Sequence, residues 1–503
     1  MLDYMKKRPM LLCAVIGSII CIVGFFSRIA VFCCGLLIIA VFFIMIQKKI
    51  KHKYIFIVFM LFAVTVSVLI TENRIDEAVT ADSSTVEGRF IVIEDSENHG
   101  NYYSSILEAN GCEGLRNGTR IFTFYNNGGF KCGNTLKARI KISSIDETYK
   151  IYNYSKGIYL SGNILNASVT DEKGDYILYL IGNIRKYIAD TLFANMGYKQ
   201  AATLTAIVSG DRTYLSDEFY GHIKCAGVSH VMVVSGMHLS VIVILMTYLG
   251  ERLFYNRYLK ALTVVFTVIF MTALCGFTKS ILRAGICYII YAAGIALNRE
   301  NTPENTLGGA VSLILIAEPF AIFNISFQLS VLSTLGIVAC SIPCLKYIKE
   351  KKIIENRLLL IIISAVSVTV FALIFTLPVT IYVFGYASTV SIVTNLLISE
   401  AVTLALSFAA AALVLNLFLP IIAKPLFVLS DIVVKYIDFV IDEFGSLPFA
   451  TVTLGKIPFI ISLAVLFGVI SALFACKKHS DMLKLKKMNS KIVREGGGKL
   501  KWR

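Results

Sequence analysis

Charge is scarce in this chain: Asp, Glu, Lys and Arg make up 16% of its 503 residues. A soluble globular surface needs about a quarter, so a cytosolic enzyme and a disordered chain are both excluded. No internal repeat or low-complexity segment is present, which removes fibrous and solenoid architectures. A G-x-x-x-x-G-K-[ST] run is also missing. GGGKL near the end has neither the spacing nor the strand–helix context, so the chain does not hydrolyse ATP by that route. Apolar residues, by contrast, reach 56% and mean hydropathy is +0.72. A membrane crossing takes about 20 apolar residues, and the runs present amount to roughly 10–12 crossings. The fold class is an α-helical polytopic membrane protein.

Three apolar runs, near 10–26, 29–46 and 54–70, open the chain as residues 1–70, read as an uncleaved anchor. The connector between the second and third carries Lys48, Lys49, Lys51 and Lys53, which places it and the N-terminus in the cytoplasm. Residues 71–175 then lie outside. TVEGRFIVIED, NYYSSILEAN, GTRIFTFYN, NTLKARIKISS and GIYLSGNILNASV are alternating, β-branched stretches separated by Gly/Asn turns. Five such strands predict an inserted extracytoplasmic all-β domain, most economically OB-like.

Residues 176–476 hold the remaining runs, near 228–249, 261–277, 280–297, 306–323, 326–345, 358–384, 388–418 and 457–475. In 421–444, Asp431, Lys435, Asp438 and Asp442 share one helical stripe, which fits either an interfacial helix or a wet span. Residues 477–503 carry ten Lys/Arg against Asp481 and Glu495, a net of +8, and form a basic cytoplasmic tail.

Twelve cysteines are present, but nine sit in or beside apolar runs, where Cys packs as a small hydrophobe. Cys112 and Cys132 alone share the outer β segment, and an oxidising outside predicts a disulfide between them. In the same segment Lys137, Arg139 and Lys141 alternate with apolar residues and so share one strand face. Tyr102, Tyr103, Phe122, Phe124, Tyr125 and Phe130 stand nearby. A basic face beside aromatic rings suits a single-stranded nucleic acid, and a solvated strand over an aromatic core accounts for the same residues.

The stretch GVSHVMVVSGMHLSVIV places His230 and His238 eight residues apart on one drifting helical stripe. Ser235 lies three residues before His238, and Gly236 permits close backbone approach. Three readings fit these residues: satisfied helix packing, a polar lining, or a Ser–His hydrolase built on Ser235 and His238. The i, i+8 His spacing lacks metal geometry, and no metal or cofactor is expected.

The same residues resemble the signature of the ComEC family of bacterial DNA-uptake proteins: Gly227, His230, Ser235, Gly236 and His238. Ordered matches follow at Ser280, Arg283 and Ala284, at Phe327, Gln328, Leu329 and Ser330, and at Pro378, Phe384, Gly385 and Asn395. Gly210 and Asp211 fit upstream, while Asn324 and Ser326 depart from the family pattern. The resemblance implies a channel for single-stranded DNA across the cell membrane during transformation, with both termini cytoplasmic and no enzymatic activity. Its expected path residues are His230, Ser235, Gly236, His238, Arg283, Gln328, Ser330 and Asn395. Expected partners are single-stranded DNA, a cytoplasmic helicase-like ATPase, an extracytoplasmic DNA receptor, membrane lipid and, where one strand is degraded, a separate nuclease. The six histidines cannot form the H-x-H-x-D-H cluster of a metallo-β-lactamase-like nuclease domain. A transporter for another anionic polymer or solute is the rival.

Physics narrows the route. A strand at duplex spacing places a phosphate every 3.4 Å, so about nine would occupy a core ~30 Å thick. Each ion at mid-bilayer costs roughly 2.5–3.5 kcal/mol on the lenient scale. Only a hydrated, polar-lined path carries them, and Lys279 joins the candidates above as a lining cation.

Overall fold

The computed structural model describes residues 8–47, 52–80, 82, 84–98, 100–126, 128–171, 174–232, 236–298, 302–453, 458–466 and 468. The basic tail 477–503 lies outside the described residues. Two compact units are present, one formed by residues 5–331 with 388–451, the other by 332–387 with the segment from 452 onward.

In the larger unit, helices α1 (Pro9–Phe26), α2 (Arg28–Gln47) and α3 (His52–Val79) open the chain. The β domain follows as β1 (Thr85–Val92), β2 (Glu97–Asn98), β3 (Tyr103–Ala109), β4 (Arg120–Tyr125), β5 (Thr135–Ser144), helix α4 (Glu147–Tyr154) and β6 (Ile158–Asp171). All five stretches read as strands form strands. The sheet runs β1-β5-β6-β4-β3-β2, and an additional β1–β3 pairing brings its two ends together. It is mixed, because β4 and β6 run parallel while the other pairs are antiparallel. Alternation explains its core: Val86, Phe90, Leu107, Ile121, Leu136, Ile140, Ile142 and Leu160 are all buried. The domain departs from an all-β expectation in α4, which Asp146 caps by accepting the Thr148 N–H at 2.8 Å.

The predicted disulfide is not made. The Cys112 thiol donates to the Arg89 carbonyl at 3.1 Å, and the Cys132 thiol to the Ile93 carbonyl at 2.9 Å. Those carbonyls are four residues apart along an extended backbone, about 13 Å. Bridged cysteines need Cα atoms within about 7 Å. Co-residence in one segment says nothing about which end of a strand each cysteine occupies. Both thiols are therefore expected to accept a maleimide without prior reduction. Burial pushes Cys132 up to about 11 and raises Cys112 as well, so the reactive thiolate is scarce at pH 7. The Cys132 labelling rate should rise about tenfold per pH unit between pH 7 and 9. Labelling that appears only after a reductant would restore the disulfide.

The helical part of the larger unit continues with α5 (Tyr176–Asn195), α6 (Tyr198–Ser209), α7 (Asp217–Cys225), α8 (Ser229–Met232), α9 (Gly236–Leu253), α10 (Arg257–Leu274), α11 (Lys279–Leu297) and α12 (Pro303–Ala317), and α13 (Ile325–Gly336) begins in it. The smaller unit holds α14 (Ile342–Glu350) and α15 (Arg357–Phe384), and the larger resumes with α16 (Ser391–Asn416) and α17 (Pro420–Gly445). Within the smaller unit a π-helical turn at Ile337–Ser341 precedes α14, and the Ser341 and Ser367 hydroxyls join it to α15 at 2.9 Å.

Eight described helices are long and apolar enough to cross a membrane. The chain is a multi-pass membrane protein. The count is lower than the 10–12 expected for identifiable reasons, the first being that the run at 29–46 is represented by the shorter apolar helix Arg28–Val41, within α2. Pro303–Ala317 is only 15 residues long and gives way to a 3-10 turn at Pro319–Phe323. The run at 457–475 falls largely outside the described residues. The segment 421–444 forms one helix, α17, that is not among the eight. Its polar stripe borders the buried face: Asp438 is buried and accepts from Thr203 Oγ1 at 2.8 Å and from Gln200 Nε2 at 3.1 Å, whereas Lys435 is exposed. Beside it, Val428, Ile432, Tyr436 and Phe439 are exposed. Ala401, Ala405, Ala409 and Ala412 of α16 are buried, and the Ser430 hydroxyl of α17 donates to the Ala405 carbonyl at 3.1 Å. Small residues at such a crossing let the two backbones approach closely.

Candidate functional site

The N-terminal ends of α9, α11 and α16 bring most of the expected path residues together. Gly236 opens α9. A Cβ there would stand 3.3 Å from Arg283 Nη2 and 3.2 Å from Ala284 Cβ. The glycine thus makes the close approach that its position suggested, and what it admits is the Arg283 guanidinium on α11.

Arg283 is buried. Its Nε donates to Ser330 Oγ of α13 at 2.8 Å, and the Ser280 hydroxyl, one turn earlier on α11, donates to the same oxygen at 3.1 Å. The Cys287 thiol, one turn later, lies beside the guanidinium. None of these partners carries a formal countercharge, and among the described residues Arg283 makes no ion pair. A buried cation is ordinarily paired with a carboxylate. Here, among the described residues, the Ser330 hydroxyl holds it beside the Cys287 thiol.

His238, on the first turn of α9, is fully buried, whereas His230 on α8 is exposed. The residues between α8 and α9, 233–235, lie outside the described residues. The two rings nevertheless lie within electrostatic reach of one another. The Asn395 side chain, on the second turn of α16, lies beside the His230 ring. Asn395 Oδ1 is itself buried and accepts no hydrogen bond from the described residues, an unusual state for a buried acceptor. Ser235 lies outside the described residues.

Two expected lining groups are used differently. Lys279 forms an ion pair with Glu318, at the end of α12, and is not a free cation. Gln328 donates to the Ile322 carbonyl at 2.9 Å and so braces the turn before α13. Asn324, where an acidic residue was expected, caps α13 by accepting the Phe327 N–H at 3.2 Å. Sequence reasoning missed Glu318, whose signal was a lone carboxylate in an apolar stretch.

On the β domain, Lys137, Arg139 and Lys141 are exposed on one face of β5 while Leu136, Ala138, Ile140 and Ile142 are buried beneath them. Lys137 lies 3.8 Å from Glu87 on β1. Such an exposed pair is worth little, so the face stays strongly cationic. Arg139 and Lys141 have no carboxylate partner among the described residues.

With this geometry in place, comparison with known proteins is informative. A family profile described as "Competence protein" matches residues 207–479, more than half the chain and every helical residue of the site. The chain belongs to the competence protein family. The resemblance carried by Gly227, His230, Gly236, His238 and Arg283 is borne out. ComE operon protein 3 of Bacillus subtilis (strain 168) is 22% identical over 333 residues, 66% of this chain. The aligned region spans 41% of that relative's length. No solved structure matches the chain.

Proposed function

We propose that this competence-family protein conducts one strand of DNA across the cytoplasmic membrane during natural transformation. The observation that carries the reading is Arg283: a buried guanidinium on an apolar span, held by Ser330 against Gly236, with no carboxylate to neutralise it among the described residues. Such a group meets a polyanion through its always-charged planar fork. His238 and the orphan acceptor of Asn395 give the same region polar groups that suit a hydrated path.

The β domain is the receiving surface in this reading. Setting aside the two-residue β2, its strands run β1-β3-β4-β6-β5 and back to β1, with β4 and β6 parallel. That order supports an OB-like barrel, and the cations of β5 supply its phosphate-tracking face. The activity is conduction without bond chemistry. Pulling force then falls to a separate cytoplasmic ATPase, delivery to an outer DNA receptor, and strand degradation to a separate nuclease.

The test is the appearance of labelled DNA in the cytoplasm of cells with and without the chain. Accumulation independent of it would end this reading. Orientation is read in the same cells: with the β domain outside and both termini inside, an impermeant maleimide reaches Cys112 in intact cells. Reaction only after lysis would invert the topology.

A further inference from the structure

Strand β6 outruns its partner. Its pairing with β4 ends where Asn163 faces Phe124, yet β6 continues to Asp171. Beyond that point lies a groove of about 460 Å³, whose wall includes Phe124, Asn126, Phe130, Asn163, Leu165 and Asn166. A bulge shapes it. Ile164 faces Ile140 and Asn166 faces Arg139, so Leu165 has no opposite residue on β5 and stands 59% exposed. Bulges re-aim side chains at sheet edges and beside sites.

The groove adjoins the basic face. Asn163 is the register partner of Lys141, and Asn166 of Arg139. Neighbouring strands are about 4.8 Å apart, and the cations at alternate positions of β5 are about 6.7 Å apart. That interval is roughly two phosphate steps at duplex spacing. A strand drawn out to one phosphate per cation has its bases unstacked, and unstacked bases seek aromatic faces.

We propose that this groove is a nucleobase subsite, in which a base stacks on Phe124 and Phe130 and meets the Asn163 and Asn166 amides. The backbone follows Arg139 and Lys141. The subsite rests on the reading of the β domain as the DNA-receiving surface. Rings and paired donor–acceptor amides accept any base. An open strand edge also suits an extended peptide, but a peptide leaves the row of cations without a matching charge.

The experiment uses the full chain in lipid nanodiscs and two fluorescent 12-mers of equal charge, oligo(dT) and an abasic strand. Oligo(dT) is expected to bind about tenfold tighter. Phe124→Leu and Asn166→Ala should each remove most of that preference while leaving abasic binding unchanged, whereas Arg139→Gln should weaken both strands alike. Equal binding of both strands by the unaltered protein, with Arg139→Gln weakening both, overturns the subsite but keeps the receiving surface. Binding of neither strand overturns both. If Phe124→Leu disturbs the fold, abasic binding falls too, and the exposed Asn166→Ala decides: an undiminished preference there rejects the subsite, as does displacement of oligo(dT) by an uncharged extended peptide.

Discussion

Arg283→Ala is expected to lower DNA uptake roughly ten- to hundredfold while the protein accumulates at its ordinary level. The size follows from losing a charge-assisted contact with phosphate, worth about 1.5–3 kcal/mol. Unchanged abundance follows from what surrounds the side chain. Removing one member of a buried ion pair strands the other charge and destabilises the fold, but among the described residues Arg283 leaves behind neutral groups, Cys287 and the hydroxyls of Ser280 and Ser330, and the two hydroxyls already hydrogen-bond one another at 3.1 Å. Arg283→Lys should recover part of the uptake, since it keeps the charge and loses the fork. His238→Gln should retain more uptake than His238→Leu, because an amide still hydrogen-bonds water at that buried position. Transformation frequency divided by immunoblot signal reads all four variants. A fall in uptake that only tracks abundance would make the cluster a packing contact.

The parts of this architecture set by local periodicity were legible in the sequence. The five β stretches alternate strictly enough that pairing confirmed each, and the exposed cations of β5 follow from a period of two. Gly236 and Arg283 were legible individually, though their contact was not, because it depends on how two helices cross. The same limit explains the errors. Lys279 reads as a free cation until Glu318, 39 residues on, is brought beside it. Cys112 and Cys132 read as partners until β1 separates them. The His230–His238 stripe was read as one face, and the fold gives its two rings different surroundings, one exposed and one buried. The stripe on α17 was read correctly as a stripe, but the burial of Asp438 within it, against Thr203 and Gln200, depends on a partner helix more than 230 residues away.

Gly227→Ala should give the opposite signature, a severalfold loss of protein with uptake per molecule unchanged. Gly227 follows the end of α7 at φ +73°. Its N–H donates to the Lys224 carbonyl at 3.1 Å and the Val228 N–H to the Ile223 carbonyl at 3.1 Å, the paired bonds of a Schellman cap with glycine in its left-handed position. Any L side chain there costs about 1–2 kcal/mol in backbone strain. Space adds to the cost, because a Cβ would stand 2.6 Å from Ser391 Cβ and 2.7 Å from Ser388 Cβ. The Ser388 hydroxyl also donates to the Cys225 carbonyl at 2.8 Å, so the turn is bound to the start of α16. One turn along α16, Asn395 meets His230, and the glycine is therefore what allows the two to come together. Overpacking and strain sum to about 2–5 kcal/mol, a large part of the stability of most folds. Ser391→Gly added to Gly227→Ala relieves the nearest contact but not the φ, so it should restore only part of the lost protein. Full abundance of Gly227→Ala with uptake abolished would instead place Gly227 in the path itself.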